Sequence, residues 1–229
     1  MGMEHLKGQR PTEADGMLEG KEFEGHRIPK AVIKRLSLYA RILQRMSLAG
    51  IDKVSSKELG DALGLNSAQV RKDLANFGPF GVPGFGYFVE DLRARIKSIL
   101  GTDRTVRLAL VGVGNLGQAL LSYTTVFSRE GFRMVAAFDA DKRKVGGERL
   151  GVPVYHIGEL AQRIRELAVD IVVLSVPTGV AQQVVDTAVG AGVTAILNFV
   201  PERLIAPKGV KIHYVDLSIE IESLSYYLK

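Results

Sequence analysis

Three glycines at G-x-G-x-x-G spacing, Gly112, Gly114 and Gly117, stand in the stretch LALVGVGNLGQAL, residues 108–120. Such spacing suits a strand that turns sharply into a helix around a pyrophosphate. The first glycine permits the tight turn, the second lets the backbone approach the phosphates, and the third lets the helix pack close to the strand. Val113, Asn115 and Leu116 complete the turn, and the helix start supplies N–H donors and a positive dipole end. Twenty-two residues past Gly117, Asp139 closes the run MVAAFD. A carboxylate there accepts ribose hydroxyls and would repel a 2′-phosphate, which favours NAD(H) over NADP(H). Lys142 and Arg143 follow closely and could instead meet a 2′-phosphate. Another adenine nucleotide or coenzyme A is the alternative ligand for such a turn.

Hydride-transfer enzymes place the nicotinamide against a substrate pocket with a proton donor. Candidates for that role are few. There is no cysteine, which excludes disulfides, thiolate metal sites and thiol redox switching. The histidines are His5, His26, His156 and His213, with no two at metal-ligand spacing, so no metal is expected. His156 falls at a strand end in VPVYHIGEL and reads as a cap or a solvent-facing side chain; His213 falls inside a strand pattern and reads as structural. No Ser–Tyr–Lys spacing occurs. The segments at LSVPTG and LNFVP, with Val176, Pro177 and Asn198, are placed to close over the nicotinamide end but are too short to build a substrate domain. The site is therefore expected to bind NADH and NAD+ without catalytic residues.

The elements that must position these groups follow from apolar patterning. The runs VRLALV, RMVAAFD, DIVVLSV, VTAILNF and KIHYVD alternate with helical patterns. Short apolar strands between helices mean a parallel sheet buried on both faces, so residues 102–215 are expected to form a doubly wound α/β Rossmann domain. With 229 residues and 46% hydrophobic content, the chain can bury one large or two small cores. No apolar run approaches the ~20 residues of a membrane span. The N-terminus shows no signal-peptide core, so a cytoplasmic protein with no membrane association is expected.

Charge separates the halves. Residues 27–105 carry 14 basic and 7 acidic side chains, whereas residues 106–229 carry 13 and 12. A basic segment joined to a neutral domain fits a nucleic-acid-binding module. Residues 1–26, rich in Gly and Glu, read as a disordered tail. IPKAVIKRLSLYARILQRM predicts a helix with Val32, Leu36, Tyr39, Leu43 and Met46 inward and Pro29 in its first turn. SSKELGDALG opens on a capping box, Ser55 and Glu58, and ends at Gly64. NSAQVRKDLANFG restarts at once from the cap Asn66 and buries Val70, Leu74 and Phe77. The outline is a helix-turn-helix. The glycine-rich GPFGVPGFGYFV, residues 78–89, suggests a short β-hairpin with Phe80 and Gly84, and a further helix follows, making residues 27–101 a winged helix.

In a helix-turn-helix the N-terminal part of the second helix enters the major groove. Ser67, Gln69, Arg71 and Lys72 occupy that part, and Phe80 and Gly84 of the hairpin are the further residues expected to meet DNA. Gln pairs bidentately with adenine and Arg or Lys with guanine, while Ser67 and the helix-start N–H groups can hold a phosphate.

The order of these motifs is more specific than any one of them. A winged helix with QVRKDL, then FGxFG…GxGY, LVGVGNLG, FDAD…VG, AILNF.P and a final VDL…E.E.L.Y.L resembles the Rex family of redox-sensing transcriptional repressors, over about residues 28–229. The resemblance implies a homodimer that holds a palindromic DNA operator when NADH is low and releases it when NADH binds, with NAD+ competing for the same site. It implies that a C-terminal helix, residues 216–229 here, is exchanged between subunits. Leu217, Ile221, Leu224 and Leu228 give that helix an apolar stripe, which could equally cover the chain's own sheet. It also implies a switch at Arg41, Tyr123 and Asp216, near the nicotinamide and the domain interface. The chain departs from the family where basic wing residues usually precede GxGY, since Val82 and Pro83 stand there. A small NAD-dependent reductase and a coenzyme A- or adenylate-binding module are the alternative functions.

Overall fold

The computed structural model of the protein describes residues 22–23, 26–81 and 84–228. The chain divides into two compact units, residues 1–103 and 104–229. The expected tail lies outside the described residues, apart from a short antiparallel pairing of β1, Glu22–Phe23, with β2, His26–Arg27. Val82 and Pro83 also lie outside them.

The first unit is helical. Pro29 is extended and sits just before α1, Lys30–Leu48, as its N-cap; its carbonyl accepts from Val32 N–H at 2.9 Å. The inward face of α1 is Val32, Leu36, Tyr39, Ala40 and Leu43, with Met46 half-buried at its edge. Strand β3, Lys53–Val54, leads to α2, Ser56–Asp61. The Ser55–Glu58 capping box closes in both directions, at 3.1 and 2.7 Å. Helix α3, Ser67–Ala75, starts from Asn66, whose side chain accepts from Gln69 N–H at 2.7 Å, and buries Val70, Asp73 and Leu74.

The segment after α3 corrects the expected hairpin. Strand β4, Tyr87–Phe88, pairs with β3 and not with a strand inside residues 78–86, among the described residues. The glycines of that segment favour a loop, and the two edge residues before α2 supply the partner ladder. Helix α4, Val89–Leu100, packs Val89, Leu92 and Ile96 onto the same core as α1.

The second unit alternates strand and helix: β5 Val106–Val111, α5 Asn115–Ser122, α6 Thr124–Arg129, β6 Phe132–Asp139, β7 Glu148–Arg149, β8 Val152–His156, α7 Leu160–Glu166, β9 Ile171–Leu174, α8 Thr178–Gly190, β10 Ala195–Asn198 and β11 Lys211–Tyr214. Sheet order is β11-β10-β9-β5-β6-β8-β7, parallel throughout except for the edge strand β7. Setting β7 aside, this is the dinucleotide-binding order, with its switch point between β5 and β9. Strand β5 shows why its sequence is an unbroken apolar run. Ala109 and Val111 enter one core, and Leu108 and Leu110 enter the core on the opposite face. Each buried branched side chain is worth ~1.5–3 kcal/mol, so both faces hold the sheet in register.

The last helix, α9, Leu217–Ser225, buries no residue. Leu217, Ile221, Leu224 and Leu228 are 59, 68, 63 and 86% exposed. The apolar stripe therefore does not cover its own sheet.

Candidate functional site

The glycine turn forms at the switch point, where β5 and β9 end side by side. Ser175 N–H donates to the Val111 carbonyl at 2.9 Å, and Ser175 Oγ donates to the Gly112 carbonyl at 2.9 Å. Gly112 has φ +96°, and a Cβ on it would strike the Ser175 carbonyl oxygen. On Gly117 a Cβ would strike the Gly112 carbonyl oxygen, so α5 lies hard against the turn. Gly114 differs: nothing lies within 4 Å of where its Cβ would be. It caps α5 without a side-chain hydrogen bond, and the first turn holds no acidic residue. Helix geometry leaves the first N–H groups of α5 without intrahelical acceptors. The open side of Gly114 and an uncapped helix start fit a pyrophosphate. Val113 contributes differently from expectation. It is buried, and its N–H donates to Asp139 Oδ2 at 2.8 Å, which ties the turn to the end of β6.

Asp139 accepts from Asp141 N–H at 2.9 Å and from the Lys144 ammonium at 3.0 Å as well. Burial pushes its pKa up, but these donors, led by the Asp141 N–H, outweigh it and hold the carboxyl below its usual range. An ionised carboxylate has about four acceptor sites. Three are filled here, so one ribose hydroxyl fits directly and a second requires Lys144 to yield. Arg143 is bound to Asp141, at 2.8 Å, whose own pKa falls to about 2 under the hydrogen bonds from that guanidinium. Sequence reasoning singled out Lys142 and Arg143 and missed Lys144; the cation that matters is the one whose chain reversal brings it back to β6.

Val176 and Pro177 follow β9, with Val176 against the position a Gly112 Cβ would take and Pro177 as the N-cap of α8. Asn198 departs from the expected contact role. It is fully buried, its Nδ2 donates to the Val200 carbonyl and its Oδ1 accepts from Val200 N–H, both at 2.9 Å. Asn198 shapes the turn after β10. Leu116 and Tyr123 are 38 and 56% exposed, the latter between α5 and α6 beside Phe127. His156 Nδ1 accepts from Gly158 N–H at 3.2 Å and caps the turn after β8. His213 lies on β11 with an exposed side chain. Asp216 is the N-cap of α9, accepting from Ser218 N–H at 2.9 Å.

In the first unit, Arg71 and Lys72 are exposed on α3, and Ser67 and Gln69 are half-buried. Arg71 donates to Ser56 Oγ at 3.0 Å. Between α2, α3 and the glycine-rich segment lies a groove lined by Ser56, Arg71, Gly81, Gly84 and Tyr87. Phe80 packs its ring on the core, with the Arg95 guanidinium 5.8 Å from the ring centre, so it supports the loop. Arg41 is an exposed residue of α1. Gln69 is held inward: its Nε2 donates to the buried Asp73 carboxylate at 2.7 Å. That carboxylate also accepts from Arg35 and from Tyr39 Oη. Asp73 was legible as a polar residue on the apolar face of α3, at the spacing Val70, Asp73, Leu74, Phe77.

Among the described residues no three His, Cys, Asp or Glu side chains gather as a metal site, and no helix is long and apolar enough to cross a membrane.

Two family descriptions match in order along the chain: "Putative DNA-binding protein N-terminus" over residues 27–75 and "CoA binding domain" over residues 103–202. Curated relatives match almost end to end. A redox-sensing transcriptional repressor Rex of Exiguobacterium sibiricum is 43% identical over 203 residues, covering 89% of this chain and 92% of the relative. One of Listeria welshimeri is 41% identical over 206 residues, covering 90% and 95%. Among solved structures, RSP in complex with β-NAD+ and operator DNA is similar with TM-score 0.81 and 38% identity, over 87% of this chain and 91% of that one. RSP in complex with β-NADH gives 0.75 and 37%, over 86% and 92%. With both units matched in one order at this identity, the chain belongs to the Rex family of redox-sensing transcriptional repressors.

Proposed function

We propose that this chain is a transcriptional repressor that reads the NADH/NAD+ ratio. It holds palindromic operator DNA when NADH is scarce and lets go when its Rossmann unit is filled by NADH. The observation that carries the nucleotide half is the open side of Gly114 at an uncapped helix start, with the Asp139 carboxylate at the end of the neighbouring strand. Gly114, Asn115 and Leu116 would face the pyrophosphate, Asp139 the adenine ribose, and Val176 and Pro177 the nicotinamide side. On the first unit, Ser67, Arg71 and Lys72 of α3 meet DNA, with Gly84 and its neighbours alongside. The reading is of a cytoplasmic protein that takes no metal.

The switch reads charge. The nicotinamide ring is neutral in NADH and positive in NAD+, so a nearby carboxylate exchanges partners between the two forms. Asp216, Arg41 and Tyr123 are the groups assigned to that exchange, and a coupling of ~1–3 kcal/mol is typical of such linkage. To act as a switch the chain must bind NADH better in its released state than in its DNA-bound state. The domains follow: residues 27–101 bind DNA, 102–215 bind NAD(H), and 216–229 join two copies. The exposed apolar stripe of α9 supports the last assignment, because a soluble chain rarely leaves such a stripe uncovered.

A nucleotide series tests this. Titration with NADH, NAD+, NADPH and coenzyme A should give tightest binding for NADH, and incubation with small carbonyl substrates should consume none. Tighter binding of coenzyme A, or steady NADH turnover, would refute the proposal.

A further inference from the structure

The orientation of Gln69 is dictated by a residue buried beneath it. Asp73 is 1% exposed and lies one helical turn after Gln69 on α3. All four of its acceptor positions are filled. Oδ1 accepts from Arg35 Nη2 at 2.8 Å and from Gln69 Nε2 at 2.7 Å; Oδ2 accepts from Tyr39 Oη at 2.7 Å and from Arg35 Nε. Paired with a guanidinium, the carboxylate is ionised and can only accept. The side of the Gln69 amide that meets it must then be the NH₂ group. The amide oxygen and the second Nε2 hydrogen are not committed to Asp73, in the first turn of α3.

An unconstrained glutamine offers donor and acceptor side by side, which is the pair adenine takes at N7 and N6. Here Nε2 is anchored inward through one of its two hydrogens, which leaves Oε1 as the outer end of the amide. We propose that Asp73 is a positioning residue for base recognition: by holding Gln69 Nε2 it presents Oε1 to the major groove, so that this position selects a base with an exocyclic amine, adenine or cytosine, over guanine or thymine. The inference rests on the reading that α3 enters the groove. Guanine and thymine offer only acceptors at that edge, so Oε1 would meet a second acceptor and go unpaired. Discrimination through one hydrogen bond should be about five- to tenfold, below that of a bidentate pair.

The test is selection of duplexes from a random pool by the full chain, followed by sequencing, for wild type and three variants. Wild type should enrich adenine or cytosine about five- to tenfold at one position in each half-site. Q69M should erase the preference at that position alone. D73N supplies an amide N–H that donates to Oε1, turns Nε2 outward and should move the preference towards guanine or thymine. A residue that merely braced the fold would weaken binding evenly and leave base preference alone. Where D73N fails to fold, a crystal structure of the wild-type chain on the selected duplex decides the matter: Oε1 should lie within hydrogen-bond reach of an exocyclic amine while Nε2 stays on Asp73 Oδ1. Guanine or thymine at the position that Q69M erases would overturn the proposal. So would an unchanged preference in folded D73N, or Nε2 rather than Oε1 on the base in that complex. If Q69M and R71A both leave the selected site unchanged, the groove reading of α3 itself fails, and the inference with it.

Discussion

Gly114 and Gly117 stand three residues apart in one motif, yet the structure gives them opposite duties, and a methyl group added to each should show it. At Gly117 the methyl enters the Gly112 carbonyl oxygen, with the Ser175 hydroxyl 3.3 Å away, so backbone and not the end of a flexible side chain has to shift. Overpacking of that kind costs ~1–3 kcal/mol, so Gly117→Ala should lower the melting temperature of the ligand-free protein. At Gly114 the backbone is extended, with φ −80° and ψ −164°, and the added methyl meets nothing within 4 Å. Replacing glycine where alanine fits removes freedom from the unfolded chain and stabilises by ~0.4–1 kcal/mol. Gly114→Ala should thus melt no lower than wild type. The methyl instead stands where a pyrophosphate must approach, and ~1–3 kcal/mol of crowding there weakens NADH about 5- to 150-fold. Thermal unfolding without ligand and a fluorescence titration with NADH measure the two effects. Wild-type NADH affinity in Gly114→Ala, or equal melting losses in both variants, would refute the assignment of the cradle.

Asp139→Ala removes the ribose acceptor and releases Lys144. NADH affinity should fall by about tenfold or more, while NADPH loses less or gains, as parallel titrations would show. Burial raises the Asp73 pKa, but the hydrogen bonds from Arg35, Tyr39 and Gln69 outweigh it, leaving the folded value below the unfolded one of ~3.9. The stability Asp73 contributes is therefore fully present above about pH 4 and is lost as pH falls through its lower folded value. Urea unfolding between pH 6 and 2 should show that acid loss in wild type and a weaker one in D73N. Ile221→Glu with Leu224→Glu should convert a dimer to a monomer in sedimentation velocity, because both side chains lie on the exposed stripe of α9. Arg41→Ala and Asp216→Ala should bind NADH much as wild type does and yet keep DNA at NADH concentrations that release wild type, read by anisotropy.

What the sequence made legible was whatever a local pattern dictates. The capping box of α2, the Asn66 cap, the two-faced apolar run of β5 and the Gly117–Asp139 spacing each follow from neighbours in the chain or a fixed spacing. The partner of β4 did not follow, because β3 is two residues long and lies more than thirty residues away, too short to show alternation. Lys144 and Ser175 were missed for a related reason: each matters only through contact with a separate strand end. Asn198 and Phe80 were assigned ligand contacts from their place in the motif order. Asn198 is buried and Phe80 partly buried against the core, which no local pattern reports, and both side chains hold their loops. Gln69 shows the same limit, since its outward chemistry depends on a carboxylate buried behind it.

The central claim is that one chain couples a nicotinamide's redox state to its hold on DNA. The direct measurement is fluorescence anisotropy of a labelled palindromic duplex, selected by the full chain, titrated with NADH and then with NAD+ at one fixed salt concentration. Release by NADH, with NAD+ leaving the complex intact and shifting the NADH midpoint upward, is the predicted result. Equal release by both nucleotides, or by neither, would contradict it.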